Sequence, residues 1–326
     1  MKKTIIVTGG AGYVGYTTVE MLAERYPEVK IIIYDDFSKG KLEGIGILRK
    51  KIKNLLIIPW EKGDIRDESN FEEVMKKYRP EIVVHLAAIV NAFTTNRKGK
   101  DIETMEVNYK SAVSVAKIAK KYGAKIFIYQ STVSIYSRGE ELIEEAKKEP
   151  ISTYGKAKLL AEGDILKLNN SSFSSVSLRP ATIVGYNPCF RYETIINLLC
   201  IRSIYKITTN IFESAMYGNK TYLDVKDNAR AIIFAIENVD KMKGKSFNIT
   251  SFHTNLNIVL NNLKKILKED FPYAMKQEKS INQQVYTINS DKIKKMGFVP
   301  EGKIDKIIED TIKNLKKNKN YLKEFI

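Results

Sequence analysis

The N-terminal half of the chain alternates short apolar runs with longer amphipathic stretches. Five runs rich in β-branched and aliphatic residues have the length of buried strands, at residues 4–8, 30–34, 55–58, 81–86 and 125–129. Three stretches carry apolar residues at helical spacing, at residues 68–78, 101–122 and 154–168. Strands that alternate with helices form a parallel sheet covered on both faces. The pattern therefore predicts an α/β fold built on a doubly wound parallel sheet.

The alternation is lost after Pro180, where Gly185, Pro188 and Gly218 indicate a loop-rich stretch. The earlier pattern returns with a helix at residues 226–238 and a strand at 246–249, and two further helices are predicted at 255–268 and 303–317. We therefore predict two units. The sheet domain comprises residues 1–180 plus 221–250, and a smaller, discontinuous C-terminal domain comprises residues 181–220 plus 251–326.

The composition is that of a soluble globular protein. The 326 residues are 44% hydrophobic and 28% charged, and every apolar run is too short to span a bilayer. Cys189 and Cys200 are separated by eleven positions without a CxxC motif, so neither a disulfide framework nor a metal site is expected. The first apolar run ends at Gly9 and does not resemble a secretory signal. We expect a cytoplasmic protein that does not bind membranes.

The net charge of +16 is the one feature that could indicate nucleic acid as a partner. Most of the basic residues are lysines spread along the chain, and no Arg-rich segment or known nucleic-acid-binding module accompanies them. We therefore expect no nucleic acid partner. A positive surface would also attract small anionic ligands.

A glycine-rich turn follows the first predicted strand and opens a helix. Gly9, Gly12 and Gly15 would allow a tight turn, a close approach of the backbone to a pyrophosphate, and close packing of helix on strand. Asp35 lies twenty positions beyond Gly15, at the end of the second strand. A carboxylate at this place binds both ribose hydroxyls and repels a 2′-phosphate, so the pattern favours NAD over NADP.

Two further segments end strands on the same side of the predicted sheet. In the segment GDIRD, Asp64 could meet the adenine amino group, whereas Asp67 is as well explained as a helix N-cap. The segment HLAA ends the fourth strand, and its small residues would let the backbone approach a cofactor. We interpret His85 as a core histidine with its hydrogen bonds satisfied.

Three polar side chains could converge on one alcohol group. Tyr154 and Lys158 are four residues apart, hence on one face of a helix, and the ammonium would favour the phenolate. Thr132 follows the fifth strand, where ligands bind in a doubly wound sheet. A phenol with a lowered pKa is a useful proton acceptor near neutral pH.

With these residues the chain resembles the extended short-chain dehydrogenase/reductases, in particular their NAD-dependent sugar-nucleotide epimerase/dehydratase group with its UDP-glucose 4-epimerase-like members. The matching segments follow in the expected order: TGGAGYVG, YDD, GDIRD, HLAA, VN at 107–108, STVSIY, YGKAK, LRPATIVG, YLDVKD and FNIT. The resemblance implies a Rossmann domain that binds NAD and a second domain that binds a nucleotide sugar.

The resemblance also assigns site residues. Tyr154 would be the base, Lys158 its activator and a ribose ligand, and Thr132 a hydroxyl donor to the substrate. The residues implied to hold NAD are Gly9, Gly12, Tyr13, Val14, Gly15, Asp35, Asp36, Asp64, Ile65, Leu86, Ala87, Ala88, Asn108, Tyr154 and Lys158. A homodimer is implied as well, through a four-helix bundle made by the helices at 101–122 and 154–168 of each subunit.

The residues after Thr132 bear on the reaction. Dehydratases of this group carry Asp-Glu there, because elimination of water needs an acid and a base, whereas this chain has Val133 and Ser134. Dehydration is therefore disfavoured. The resemblance implies a UDP-sugar 4-epimerase that forms a transient keto-sugar, with a reductase or a 2-epimerase as alternatives. A non-catalytic NAD-binding redox sensor is a further alternative, against which the complete set of Thr132, Tyr154 and Lys158 argues.

The implied substrate residues depart from the group pattern at two places. Thr182 stands where an Asn is common, and Lys220 stands where an Arg often meets the diphosphate, which replaces a bidentate fork by a point charge. Arg191 and Asn197 resemble positions that line the nucleotide-sugar pocket. For Arg191 and Lys220 an ordinary surface cation is the alternative, and the base and the sugar stay open.

Overall fold

The computed structural model describes residues 3–90, 99–136, 139–277 and 286–318. The strands are β1 (Thr4–Thr8), β2 (Lys30–Tyr34), β3 (Leu55–Ile57), β4 (Ile82–His85), β5 (Ile126–Gln130), β6 (Gly139–Leu142), β7 (Ser174–Pro180), β8 (Thr182–Val184), β9 (Thr209–Phe212), β10 (Lys220–Asp224), β11 (Ser246–Ile249), β12 (Phe252–Thr254), β13 (Tyr273–Lys276) and β14 (Tyr286–Ile288). The helices are α1 (Tyr13–Arg25), α2 (Leu42–Lys51), α3 (Glu68–Tyr78), α4 (Lys100–Met105), α5 (Ala112–Lys121), α6 (Thr153–Leu166), α7 (Ile195–Ile204), α8 (Glu213–Tyr217), α9 (Val225–Glu237), α10 (Val239–Met242), α11 (Leu256–Leu267), α12 (Asp291–Lys294) and α13 (Ile304–Lys317).

The central sheet confirms the predicted fold class. Within the described residues it has seven strands in the order β11-β7-β5-β4-β1-β2-β3, and all neighbouring pairs are parallel. The five strands predicted in the N-terminal half are all present. The strand order runs outward in both directions from β1 and β4, so the crevice at the carboxyl ends of these strands is the expected ligand site of a doubly wound sheet.

Each face of the sheet covers a separate apolar core. One core holds Ile5, Val7 and Ile33 against α1, α2 and α9, and the other holds Ile6, Ile32 and Val83 against α3, α5 and α6. Strands buried on both faces read as continuous apolar runs, because successive side chains enter opposite cores. The helices on both faces therefore bury the strands up to their carboxyl ends, where polar residues follow.

The helix predicted at 101–122 contains a π-helical turn between α4 and α5, at Glu106–Ser111. Asn108 lies in this turn and is fully buried. Its side chain accepts a hydrogen bond from the Ile89 amide and donates one to the Ile89 carbonyl, both at 2.8 Å. The π turn thus aims one amide side chain at the segment that follows β4.

The prediction of a loop-rich stretch after Pro180 is wrong in part. Helix α7 occupies ten residues there, and β8 and β10 pair in a three-stranded sheet with β12. The missed helix is apolar around most of its circumference, with Ile196, Leu199 and Ile201 all buried, so its sequence lacks an amphipathic repeat. Helix α2 was not predicted either.

The second unit has its own apolar core. It contains Val184, Phe190 and Tyr222 from the first segment and Leu263 and Ile308 from the last. Residues Ile293 and Phe298, however, pack against the core of the central sheet. The proposed division at 181–220 plus 251–326 stays a prediction, and its outer ends at 1 and 326 lie outside the described residues. Among the described helices, none combines the length and apolarity needed to cross a membrane.

Candidate active site

The glycine loop between β1 and α1 lies against the segment that follows β4. Gly9 adopts a φ of +70°, and a Cβ at this residue would lie 2.6 Å from the Ala87 nitrogen. A Cβ at Gly15 would lie 2.1 Å from the Gly9 carbonyl oxygen. These two glycines are therefore required by the packing of backbone on backbone. The close contact brings the predicted cofactor segments at residues 9–15 and 86–88 together.

The N-terminus of α1 is free to bind an anion. Its N-cap is Gly12, which offers no side-chain oxygen, and its first turn contains no acidic residue. The amides of Tyr13, Val14 and Gly15 belong to this first turn, where helical N–H groups have no carbonyl partner within the helix. With the cradle made by Gly9 and Gly15, these residues fit the pyrophosphate of NAD.

Asp35 lies at the carboxyl end of β2, next to the glycine loop. Its carboxylate accepts hydrogen bonds from the Ala11 amide at 2.9 Å and the Phe37 amide at 2.8 Å. Burial raises the pKa of Asp35 above its ordinary value, while the two amide hydrogen bonds oppose that rise. The adjacent Asp36 accepts from the Ser38 amide and hydroxyl and shapes the turn. The two amides hold Asp35 beside the glycine loop, and its role as a ligand of the NAD ribose stays a prediction.

Asp64 pairs with Arg66 in the loop after β3. Two nitrogens of the Arg66 guanidinium contact the Asp64 carboxylate at 2.6–3.0 Å. Burial would raise the pKa of Asp64, but the side-chain and backbone hydrogen bonds from Arg66 bring it below its ordinary value. An adenine amino group would therefore meet a carboxylate that is already engaged. Ile65 is buried in the core, and Asp67 caps α3 by accepting from the Asn70 amide, as the alternative interpretation predicts.

Replacing Gly15 by alanine should remove NAD from the protein. The added Cβ would contact the backbone of Gly9 and Gly10, which cannot turn aside as a side chain can. We expect at least a tenfold loss of NAD affinity and a loss of about 2 kcal/mol in the free energy of unfolding. The NAD content of purified protein and its melting temperature measure the two effects.

Gly46→Ala is the matched control, because no atom lies within 4 Å of a Cβ at that helical glycine. It should keep its NAD and be slightly more stable. A Gly15→Ala variant that retains NAD like the wild type would show that the loop does not hold the cofactor.

The structure brings Thr132, Tyr154 and Lys158 together at the carboxyl end of β5. All three are buried, with 6%, 8% and 2% of their surface exposed. Ser152 caps α6 by accepting from the Gly155 amide at 3.1 Å, which starts the helix directly before Tyr154. The Thr132 hydroxyl accepts from the Ser134 amide at 3.1 Å and lies within hydrogen-bond reach of the Tyr154 phenol.

Burial controls the protonation of the two residues on α6. It lowers the pKa of Lys158 to about 7, although the ammonium donates to the Gln130 carbonyl at 2.7 Å and lies 4.8 Å from the centre of the Tyr129 ring. Burial raises the pKa of Tyr154, while the Thr132 hydroxyl and the Arg191 cation lower it. A cationic nicotinamide ring next to the phenol would add to the lowering effect of these groups.

His85 is a core residue that stays neutral at neutral pH. It is fully buried, its Nδ1 lies 2.9 Å from the Thr8 hydroxyl, and burial followed by the Lys158 charge lowers its pKa to about 3. The expectation of a core histidine is confirmed. Its hydrogen bonding is only half satisfied, because Nε2 has no partner among the described residues.

The segment at residues 86–90 is fixed from two sides. Leu86 and Ala87 lie against the glycine loop, where the Leu86 amide donates to the Thr8 carbonyl at 3.0 Å. Asn108 holds the backbone of Ile89 from the π turn. Because both ends of the Asn108 amide are engaged in this way, any effect of Asn108 on NAD would pass through the backbone of this segment. Ala88 is half-buried between these two fixed points.

The predicted substrate residues differ in burial and in the groups that they contact. Thr182 and Lys220 are half-buried on β8 and β10, and Tyr222, which pairs with Thr182, lies on the same face of β10 as Lys220. Arg191 donates to the Val90 carbonyl at 3.3 Å. Asn197 is fully buried and bonds the backbone of two loop residues, and its place in the nucleotide-sugar pocket stays a prediction.

Sequence reasoning missed the pair that anchors α6 to the sheet. Glu162 and Arg179 form a buried ion pair with N–O distances from 2.5 Å, and Ser177 donates to the same carboxylate at 2.7 Å. Glu162 follows Tyr154 and Lys158 at a spacing of four residues, so all three occupy one helix face. This spacing was the sequence signal that could have identified Glu162 as part of the same helix face. The pair holds the helix that carries the two functional side chains.

Comparison with known proteins agrees with this geometry. Residues 5–250 match the model of the NAD dependent epimerase/dehydratase family. A UDP-glucose 4-epimerase of Rhizobium leguminosarum bv. trifolii is 25% identical over 333 residues, which cover 94% of this chain and 95% of the relative.

Two solved structures have the same fold. A UDP-glucose 4-epimerase of Thermotoga maritima, solved with UDP-glucose, is 26% identical and superposes with a TM-score of 0.85, covering 96% of this chain and 99% of that one. A dTDP-glucose 4,6-dehydratase of Streptomyces venezuelae, solved with NAD, is 19% identical with the same TM-score of 0.85 and covers 98% of both chains. The fold is thus shared between two reactions, and the side chains must distinguish them.

Proposed function

The chain belongs to the NAD-dependent epimerase/dehydratase family, and we propose that it inverts carbon 4 of a UDP-sugar with NAD as its cofactor. The observation that carries the proposal is the buried set of Thr132, Tyr154 and Lys158, followed by Val133 and Ser134 instead of an acidic pair. The relatives named UDP-glucose 4-epimerase support the choice of reaction.

Each residue of the set has one task in this reaction. Tyr154 accepts the proton of the sugar hydroxyl and later returns it, and Thr132 donates a hydrogen bond to the same oxygen. Lys158 lies one turn along α6 on the same face as the phenol, and in its protonated form it favours the phenolate. NAD, when bound, supplies the hydride acceptor at the carbon that is inverted. The protein residues therefore move only the proton and orient the sugar.

The residues after Thr132 do not supply the second acid and base that loss of water requires. Val133 is apolar and 3% exposed, and the Ser134 amide donates a hydrogen bond to the Thr132 hydroxyl. A serine hydroxyl is neither an acid nor a base of useful strength at neutral pH. The site therefore favours inversion over dehydration, although dehydratases share the fold.

Lys220 supports a diphosphate in the substrate. Lys220 is half-buried, burial lowers the pKa of its ammonium, and over the ranges that the structure describes it forms no hydrogen bond or ion pair. Partial removal of a cation from water is costly unless an anion joins it. The diphosphate of a nucleotide sugar is such an anion.

The two cysteines are buried free thiols, which supports the proposal of a cytoplasmic enzyme.

The proposal is tested by incubating the purified protein with UDP-hexoses and UDP-pentoses and following the sugars by mass spectrometry and NMR. A new 4-epimer formed without added cofactor is the expected result. Loss of one water would indicate a dehydratase, and stoichiometric consumption of NADH a reductase. If none of these UDP-sugars changes although NAD is bound, the proposal of a UDP-sugar 4-epimerase is wrong and the non-catalytic sensor is favoured.

We also propose a homodimer in which α4 to α6 of each subunit form a four-helix bundle. Ile102 and Leu160 expose 72% and 47% of their surface on these helices, and a Cβ at Gly163 would meet open space. Leu160→Glu should convert the dimer into a monomer, because it places a charge in the centre of the contact. Light scattering coupled to size-exclusion chromatography measures the mass.

Ile258→Glu is the control, since Ile258 is 42% exposed on α11 in the second unit. It should leave the dimer intact. A wild-type protein that is monomeric at micromolar concentration would contradict the bundle.

A further inference from the structure

Lys158 is a buried cation that lacks an acidic partner among the described residues. Its ammonium donates to the Gln130 carbonyl at 2.7 Å, and burial is the one influence on its pKa. Glu162, the next acid on the same helix face, is engaged by Arg179 and Ser177. A buried ammonium with a single neutral hydrogen-bond partner is costly. A further group that stabilises the charge is therefore expected next to Lys158.

The aromatic ring of Tyr129 lies next to this ammonium. The Lys158 Nζ is 4.8 Å from the centre of the ring and lies over it, which is within the range of a cation–π contact. Tyr129 is fully buried, so water does not weaken the attraction. Tyr129 and Gln130 are the last two residues of β5. The end of one strand thus supplies both contacts to the ammonium, one from a ring and one from a carbonyl.

His85 braces the Tyr129 ring from the neighbouring strand. The two residues are paired in register between β4 and β5, and their rings are parallel to within 15° with centres 5.9 Å apart. His85 is held in turn by the Thr8 hydroxyl, 2.9 Å from its Nδ1. Because burial lowers the pKa of His85 to about 3, the brace is neutral and adds no second positive charge beside Lys158.

The Tyr129 hydroxyl is not needed for these contacts. It is buried and has no hydrogen-bond partner among the described residues. Burial raises the pKa of Tyr129 well above its ordinary value, so the phenol is neutral and supplies no anion to Lys158. The negative face of the ring is what Tyr129 offers to the ammonium.

We propose that the ring of Tyr129 keeps Lys158 in its charged form and so sets the charge that acts on the Tyr154 phenol. Tyr129 is a positioning residue, because it acts through Lys158. The charged state of Lys158 depends on the contacts of the ammonium alone. Its consequence for turnover rests on the proposed function.

The other groups on the neighbouring elements do not supply the missing negative charge. They are neutral side chains or members of an ion pair: His85 on β4, Tyr154 and Glu162 on α6, Arg179 on β7, Asn108 and Ser111 in the π turn, and Arg191 with Glu193 in the second unit. The Tyr129 ring and the Gln130 carbonyl are therefore the groups that stabilise the ammonium.

The first test weakens the ring face without changing its shape. Tyr129→Phe keeps the ring, and phenylalanines with one, two or three ring fluorines at the same position withdraw charge from its face in steps. Nitrogen NMR of lysine-labelled, NAD-loaded protein follows the midpoint of the Lys158 ammonium, which is assigned by its loss in Lys158→Met. The midpoint should fall with every fluorine, by about one unit in total. A midpoint that stays constant along the series overturns the proposal.

The same fluorinated series at Phe127 is the matched control. Phe127 lies two residues earlier on the same face of β5 and stacks on the same His85 ring, but no cation lies over it in the part of the chain that the structure describes. Fluorines at Phe127 should leave the Lys158 midpoint unchanged. An equal fall in both series would show that fluorine acts through the core in general, which would also overturn the proposal.

Turnover of a responsive UDP-sugar provides the second test. Well above the Lys158 midpoint the fraction of ammonium limits the rate, so three fluorines should lower kcat about tenfold relative to Tyr129→Phe. Well below the midpoint both proteins carry the full charge, and their kcat values should agree. KM should stay the same, because Tyr129 is fully buried. A loss of kcat that is equal at all pH values would show that the ring does not act through the charge of Lys158.

The two tests distinguish failure of this inference from failure of the proposed function. In the Lys158→Met background the fluorines should have no further effect on kcat, because the cation they act through is gone. If no UDP-sugar responds but the Lys158 midpoint falls along the series, the proposed function fails and the inference stands. If a UDP-sugar is epimerised and the midpoint does not move, the inference fails and the proposed function stands.

Discussion

Tyr154→Phe is expected to lower kcat by a factor of about 10³, within the range of 10²–10⁴ that a positioned acid–base group contributes. The phenyl ring keeps the packing of a side chain that is only 8% exposed, so the fold and the bound NAD should be retained. What is lost is the single oxygen that can exchange a proton with the sugar hydroxyl at the end of β5. Turnover of a responsive UDP-sugar and the NAD content of the protein measure the two quantities.

Tyr26→Phe is the matched control, because the Tyr26 phenol donates to the Glu237 carboxylate at 3.1 Å and the half-buried side chain lies at the C-terminal end of α1. It should leave turnover within a factor of two. A Tyr154→Phe variant with turnover within threefold of the wild type would show that another group carries the proton.

Lys158→Met is expected to abolish most of the activity and to make the NAD-free protein more stable. The folded protein holds the Lys158 ammonium with a pKa of about 7, whereas the unfolded chain holds it at about 10.4. Below pH 7 folding therefore carries the full cost of burying this charge. Each unit of the difference corresponds to about 1.4 kcal/mol, and loss of the hydrogen bond to the Gln130 carbonyl offsets about 1 kcal/mol. The net gain is about 3 kcal/mol at pH 6.5.

The pH dependence of this gain follows from proton binding. Between pH 7 and 10.4 the unfolded chain binds the proton more tightly than the folded protein, so wild-type stability from this group rises with pH. The methionine variant lacks this slope, and its advantage should shrink towards zero near pH 10. Urea unfolding of both proteins at several pH values measures the difference.

Lys156→Met, on the exposed face of the same helix, should keep both the activity and the wild-type pH dependence. A Lys158→Met protein that is less stable than the wild type at pH 6.5, or whose advantage is the same at pH 6.5 and 10, would contradict the account.

The sequence allowed prediction of the nucleotide-binding half because its signals are local. A parallel strand buried on both faces is a continuous apolar run, which is why β1, β2 and β4 were found. Gly9 and Gly15 were found because only glycine permits backbone contacts as close as theirs. Tyr154 and Lys158 were found by helical spacing, which brings them to one face without knowledge of the rest of the fold.

The remaining features depend on partners that are distant along the chain. Asn197 was singled out only as a candidate pocket residue. The sequence does not reveal that its side chain bonds the backbone of Gly185 and Arg191. Helix α7 is buried over most of its surface, so its apolar residues show no repeat that would identify a helix. The π turn around Asn108 depends on the segment after β4, which the amide holds.

The central claim is that one hydride leaves carbon 4 of the sugar and returns to its other face while Tyr154 moves the proton. It is tested most directly by incubating the protein, without added cofactor, with a UDP-sugar carrying deuterium at carbon 4. The account predicts the 4-epimer with its deuterium still at carbon 4 and no exchange of carbon-bound hydrogen with solvent. An epimer that has lost the label to water, or a product that lacks one water, would contradict it.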